Sequence, residues 1–454
     1  MSKKEREKKA QEEVKEIRKA IKSKKLRWKA DVTSISLLSE KERKSLLGVL
    51  PKKEKPEKKD KDKKEKVGSS GEGPIDPPPE WDWRDVSADD WTTPIKDQDA
   101  CGSCVAFSVN AAIEMLLKKW IYNDPSVIPD LSEAHLYFCN GRRCTQAEGN
   151  YGWWVDLALD ALKTDGVPDE CCFIYTAPPT QPCGDACSDW KDRIDLTKIR
   201  DWKSITNVTE MKKLISEHGC MPATMAVFQD FISYAGGVYS YSWGPLLGYH
   251  AITVVGYSDV DGCWICKNSW GTCWGEPPLG KPLPQPAGWF RIAYGEPNGP
   301  IPPGYSDDRI DDEMFKIELV CPAEASAVSM GFDQRTIGTV RKFRDRLLRT
   351  QKGSAYLSVA RMNIGLVTRI LNILKTNKEI RDEARKVLEP FIKAVEIVDQ
   401  GKPMKLEEEH FKAAIKVLDH IAEIDKKLIP AVSRIKEEIP LYVGKSLNEI
   451  MREL

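Results

Sequence analysis

The stretch His250-Ala-Ile-Thr-Val-Val-Gly-Tyr-Ser-Asp-Val-Asp-Gly-Cys-Trp-Ile-Cys-Lys-Asn268 decides how the chain folds. The apolar run from His250 to Tyr257 reads as a buried strand, Asp259-Val-Asp-Gly262 as a turn, and Cys263 to Asn268 as the returning strand. If the hairpin folds about residue 259, paired positions sum to 518 and His250 lies directly opposite Asn268. Cross-strand partners have Cβ atoms about 5 Å apart, so the Asn268 amide oxygen would accept from one imidazole nitrogen and fix the ring's orientation and tautomer. An oriented imidazole needs a nucleophile to serve. Gln98-Asp-Ala-Cys-Gly-Ser-Cys104 precedes an amphipathic helix with Ile113, Leu116, Leu117, Trp120 and Ile121 on one face, which puts Cys104 in the first helical turn. There the positive end of the helix dipole and unsatisfied backbone N–H groups favour a thiolate. Thiolate, proton acceptor and orienter are the parts that nucleophilic catalysis by cysteine requires.

Outward from this centre, the chain has 454 residues, with 69 Lys plus Arg against 69 Asp plus Glu. That length suggests about three units at roughly 150 residues each. The neutrality is a cancellation: residues 1–80 carry +9, residues 81–330 carry −16 and residues 331–454 carry +7. An acidic middle argues against a nucleic-acid enzyme, whose phosphate contacts need a basic face. No stretch approaches the roughly 20 apolar residues of a membrane span, and MSKKEREKKAQEEVKEIRKAIKSKK lacks the apolar region of a secretory signal.

All 13 cysteines lie between Cys101 and Cys321. Setting Cys104 aside leaves Cys101, Cys139, Cys144, Cys171, Cys172, Cys183, Cys187, Cys220, Cys263, Cys266, Cys273 and Cys321, an even number that suits up to six disulfides. The short spacings Cys101/Cys104, Cys139/Cys144, Cys183/Cys187 and Cys263/Cys266 leave zinc as the alternative, but they are irregular and Cys104 has a better use. No metal site is expected. Disulfides imply an oxidising compartment or the interior of a hyperthermophile.

Residues 1–50 read as a charged helical segment, with Val14, Ile17 and Ile21 on one face and a capping box from Ser39 to Glu42. Residues 51–80 are a Lys, Glu, Pro and Gly linker too polar to order itself. A mixed α/β segment spans 81–325, and 330–454 read as an all-α unit of three or four helices. Its stripes are Ile364, Val367, Ile370, Leu371 and Leu374, then Phe411, Ala414, Ile415, Leu418, Ile421 and Ala422. Its His410 and His420 have no ligand pattern around them.

KDQDACGSCVAFS, GYHAITVVGY and NSWGTCWGE together resemble the papain-like cysteine peptidases, including the cathepsins, and Asp82-Trp-Arg84 resembles the start of their mature enzymes. His250 follows Cys104 by 146 residues and Asn268 by 164. The resemblance implies an α+β, two-lobed catalytic domain with the Cys104 helix in one lobe and the His250 and Asn268 strands in the other, and it implies no cofactor. It makes Cys104 the nucleophile, His250 its acid and base, Asn268 the orienter and Gln98 the oxyanion donor beside the Cys104 N–H. Trp270 would shield the His–Asn bond, Gly149 and Asn150 would bind substrate backbone, and Cys101 would pair with Cys144. Two departures stand out. Val105 replaces a large aromatic, and Asp99 replaces a glycine and brings a charge able to raise the thiol pKa.

The same resemblance extends to residues 26–34 and 46–48, which look like a short cathepsin-type propeptide. The expected function is therefore a cysteine endopeptidase or exopeptidase made as a zymogen, acting on polypeptides. Its basic N-terminal segment would be held on the acidic domain electrostatically and removed within 51–80. The alternatives are a peptide ligase of the same chemistry, or a binding protein that recruits a partner through its C-terminal helices.

Overall fold

A computed structural model describes residues 2–51, 76–122, 124–194, 197–277 and 287–320, then 373–374, 377–399, 408–424, 426, 429, 432–433 and 436. Most of the 51–80 linker, Cys321 and the stripe from Ile364 to Leu371 lie outside the described residues. Contacts divide the chain into two units, one of Met1–Leu116 with Ile128–Leu319 and one of Leu117–Val127 with Val320–Leu454. The segment expected as an unbroken 81–325 domain is thus interrupted at Leu117–Val127, and residues 2–51 fall in the first unit.

The first unit is α+β. Helices α1 (Lys3–Lys24) and α2 (Glu40–Ser45) each begin at a capping box, Ser2 with Glu5 and Ser39 with Glu42. Ala10, Val14 and Ile17 are the buried face of α1. Buried Arg43 of α2 donates to Glu13 of α1 at 2.8 Å and also to the Ser36 carbonyl, tying the two helices together. Between them runs strand β1 (Arg27–Ala30).

The sheet has nine strands: β1, β2 (Glu80–Asp82), β3 (Ile199–Ile205), β4 (Met221–Phe228), β5 (Tyr234–Tyr239), β6 (Leu246–Ser258), β7 (Cys263–Lys267), β8 (Trp289–Ala293) and β9 (Met314–Leu319). Their order is β1-β5-β8-β7-β6-β4-β9-β3, with β2 on β6, and every pairing is antiparallel except β5 with β8. Helix α3 (Cys104–Leu116) packs against α4 (Glu133–Phe138), α5 (Val155–Thr164) and strands β4 and β6, while α6 (Val208–Glu217) lies on β6. Nearly every side chain of α3 is buried, including Cys104 at its start. The nucleophile of the sequence reading therefore stands where the helical part meets the sheet.

The register of the β6–β7 hairpin differs from the expected one. Pairs run Ser258 with Cys263, Tyr257 with Trp264, Val254 with Cys266 and Thr253 with Lys267, with a bulge between Val254 and Gly256. Extending that register sets Asn268 opposite Ile252, and His250 instead pairs with Met225 of β4. At this end the shift is an even number of residues, so His250 and Asn268 still face the same side and meet diagonally.

In the second unit, Leu117–Tyr122, where an α-helix was expected through Ile121, is π-helical. Helices α7 (Lys378–Asp399) and α8 (Glu408–Ile424) pack together. Their core is Ile373, Leu374, Ile380, Ala384, Val417 and Ile421. His420 Nδ1 lies 2.9 Å from Glu383 Oε2 across the pair.

Candidate active site

Cys104 opens α3 and is fully buried. Burial pushes its thiol up to about 11, outweighing the N–H groups of Ala251, Gly48, Val105 and Cys104 itself. The helix terminus does not deliver a thiolate here. The cause is loss of water, not the Asp99 charge that the sequence suggested; Asp99 is exposed, at φ 51°, with its N–H on Asp97 Oδ1.

His250 Nε2 lies 2.7 Å from Asn268 Oδ1. An amide oxygen only accepts, so Nε2 donates and Nδ1 carries the basic lone pair. Burial lowers the imidazole pKa to about 4, against the opposing pull of Asn268 and then of the Leu46 carbonyl. That carbonyl falls short of hydrogen-bond geometry, and Nδ1 is buried without a partner. The Trp270 ring packs on the imidazole at 4.7 Å and is itself buried, which keeps water from the His–Asn bond.

The side chain of Gln98 is oriented from both ends. Ser269 Oγ donates to its Oε1 at 2.7 Å, and its Nε2 donates to the Cys101 carbonyl at 2.8 Å and the Leu46 carbonyl at 2.9 Å. Ser269 was not singled out from sequence, although its place next to Asn268 was a signal.

Residues 46–50 thread through this site. Val49 N–H donates to the Tyr249 carbonyl at 3.2 Å, Trp153 N–H to the Gly48 carbonyl at 2.8 Å and Leu50 N–H to the Trp153 carbonyl at 3.2 Å. Leu47 rests against Gly248, where an added Cβ would come within 3.2 Å of it. A Cβ on Gly48 would fall 1.9 Å from the Gly102 carbonyl oxygen, so glycine is required where this segment crosses the nucleophile loop. The cleft wall that bonds the segment includes Trp153 and Tyr151, whose Oη donates to the Leu47 carbonyl at 2.9 Å. Gly149 and Asn150, the pair expected to hold peptide backbone, are exposed, and an added Cβ on Gly149 would touch nothing within 4 Å.

The charge-driven docking expected of residues 1–50 also differs. Among the described residues no carboxylate–cation pair joins residues 2–51 to the rest of the unit. Backbone pairing of β1 with β5 holds them instead, with Thr33 Oγ1 on the Ile232 carbonyl at 2.8 Å and Trp28 against Tyr234 and Tyr239. Below the site, buried Glu114 and Glu133 meet Lys96 at 2.9 and 2.8 Å, and Lys267 Nζ donates to Thr93 Oγ1 at 2.7 Å, tying α3 and α4 to β7.

Among the described residues three disulfides form: Cys101–Cys144, Cys139–Cys183 and Cys172–Cys187. Cys171, Cys220, Cys263, Cys266 and Cys273 are free thiols, which corrects the reading of up to six bridges. Cys263 and Cys266 sit three apart on β7, so their side chains point to opposite faces and cannot join each other.

Residues 77–293 match the family model described as papain family cysteine protease. Those residues form a papain-like domain. The chain is 30% identical over 213 residues to the cathepsin B-like CP2 of Giardia intestinalis, covering 44% of this chain and 64% of that one. It is 32% identical over 204 residues to the cathepsin L-like proteinase of Fasciola hepatica, covering 44% and 58%. The chain thus spans less than two thirds of the length of either relative. A digestive procathepsin L2 proteinase from the Tenebrio molitor larval midgut superposes with a TM-score of 0.49 at 21% identity, covering 70% of this chain and 92% of that one.

Proposed function

We propose that this papain-family chain is a thiol peptidase made as a zymogen, with residues 1 to about 75 as its inhibitory segment. The observation that carries the reading is the convergence of Gln98, Cys104 and the His250–Asn268 pair on one cleft that residues 46–50 already fill as an extended peptide. After that segment leaves, water returns to Cys104 and His250, and a proton passes from thiol to Nδ1. The thiolate attacks a substrate carbonyl; the Gln98 amide and the Cys104 N–H bind the resulting oxyanion. His250 protonates the departing amine, then takes a proton from the water that releases the acyl-enzyme. Asn268 keeps Nε2 protonated throughout. In the covered form the Leu46 carbonyl occupies the Gln98 donor that a substrate would use.

The test is to incubate the full chain at pH 4–5, sequence the product's N-terminus and assay a fluorogenic peptide beside Cys104→Ala. Cleavage between residues 51 and 80, with hydrolysis absent from the variant, is expected. A chain freed of residues 1–75 that hydrolyses nothing would refute the reading, as would activity that survives Cys104→Ala.

A further inference from the structure

Gln98 and Ser103 end the short loop that precedes the nucleophile, and one hydroxyl touches both. Tyr175 Oη donates to the Gln98 carbonyl at 2.8 Å and lies 2.7 Å from Ser103 Oγ. A phenol has a single proton, so with that proton on Gln98 the Ser103 hydroxyl donates to Tyr175. Burial pushes the phenol far above its ordinary pKa, which keeps its proton in place. The ring is wedged edge-on against Phe107 of α3 at 4.9 Å and stacked on Phe138 of α4 at 6.1 Å. Its backbone N–H donates to Glu170 at 2.6 Å. The segment carrying it is closed by Cys172–Cys187 and anchored to the end of α4 by Cys139–Cys183. A half-buried, doubly stapled aromatic therefore delivers one hydroxyl to the two ends of the loop.

We propose that Tyr175 is a positioning residue for acyl transfer, holding Gln98 and Ser103 so that the Gln98 amide and the neighbouring Cys104 N–H converge on one oxyanion. This rests on the peptidase reading above. Oxyanion donors act only within a narrow range of distance, and misplacing one costs about a hundredfold or more in kcat. The Tyr175 hydroxyl does not touch the thiol, so its loss should leave sulfur reactivity alone.

The test uses the full-length chain activated at pH 4–5 or by tryptic nicking in the Lys-rich 52–66 stretch. In Tyr175→Phe, kcat should fall at least tenfold with little change in KM, and affinity for a peptide aldehyde should fall by a similar factor. Alkylation of Cys104 by iodoacetamide develops no oxyanion, and its rate should stay within about twofold of wild type. Ser103→Ala, which removes one arm of the bridge, should show the same split at smaller amplitude. Unchanged kcat in both variants overturns the proposal, and so does a parallel fall of kcat and alkylation, which would mark general loosening. Wild-type protein that hydrolyses nothing would instead sink the peptidase reading itself.

Discussion

Gly48 offers the sharpest handle on the covered state. In Gly48→Val, the new Cβ would sit 1.9 Å from the Gly102 carbonyl oxygen and 2.3 Å from its carbon, both backbone atoms. That loop cannot retreat easily, since Gly102 N–H is bonded to the Cys144 carbonyl and Cys101 is bridged to Cys144. The threaded segment must yield instead. Lifting residues 46–50 breaks the Gln98–Leu46, Trp153–Gly48, Val49–Tyr249 and Leu50–Trp153 hydrogen bonds. At about 1 kcal/mol each these sum to roughly 4 kcal/mol, or about a thousandfold in the open population. Iodoacetamide labelling of Cys104 in the uncleaved chain reads this directly, because the wild-type thiol is fully buried and pushed up to about 11. The variant should label two to three orders of magnitude faster near pH 7, with its pH midpoint moved downward. A folded Gly48→Val protein that labels as slowly as wild type would refute the reasoning.

Three further outcomes are expected. Because burial holds His250 at about 4 rather than 6.5, the covered state binds fewer protons than the released one. Docking should therefore be intact above pH 6.5 and weaken by up to roughly 3 kcal/mol as pH falls towards 4, seen as faster proteolytic removal of residues 1–50; a pH-independent rate contradicts this. Arg43→Ala strands the buried Glu13 carboxylate, and hydrogen exchange in α1 around Val14 should report a loss of roughly 3 kcal/mol; unchanged protection would show that the pair is dispensable. Asn268→Ala removes a hydrogen bond to a ring that becomes charged during turnover, worth about 1.5–3 kcal/mol, so kcat of the activated enzyme should drop by about ten- to a hundredfold; wild-type kcat would exclude Asn268 as the orienter.

The residues proposed as nucleophile, base and orienter were legible from local spacing, a helix start for Cys104 and a hairpin for His250 and Asn268, whereas the role of Gln98 came only from the resemblance to papain-like peptidases. The hairpin was misread in register because its turn centres between Val260 and Asp261 rather than on residue 259; the bulge between Val254 and Gly256 then leaves an even offset, which preserved the encounter. Gly149 and Asn150 are exposed while Trp153 bonds Gly48 and Leu50, a difference of a few residues along one loop that sequence pattern does not resolve. The free thiolate expected at Cys104 gave way to a neutral, dry thiol, because burial under Gly48 outweighs the helix terminus and such burial is set by a segment more than 50 residues away. Tyr175 carries no local pattern at all; its meaning arises only when a disulfide-closed loop is laid beside α3.

The pairing of β1 with β5 makes the departing segment a structural part of what it leaves. Arg27 to Ala30 cap the sheet edge, with Trp28 lying over Tyr234 and Tyr239. Removing them would uncover a row of backbone donors and acceptors together with an aromatic face, the combination through which sheets recruit foreign strands. Gly236 and Gly237 interrupt that row at φ 138° and 89°, a kinked edge that Arg27 fits with its carbonyl 2.3 Å from the space a Cβ on Gly237 would take. A regular strand from another molecule would not match it. The glycine pair thus admits the chain's own strand while making the newly bared edge a poor template for aggregation.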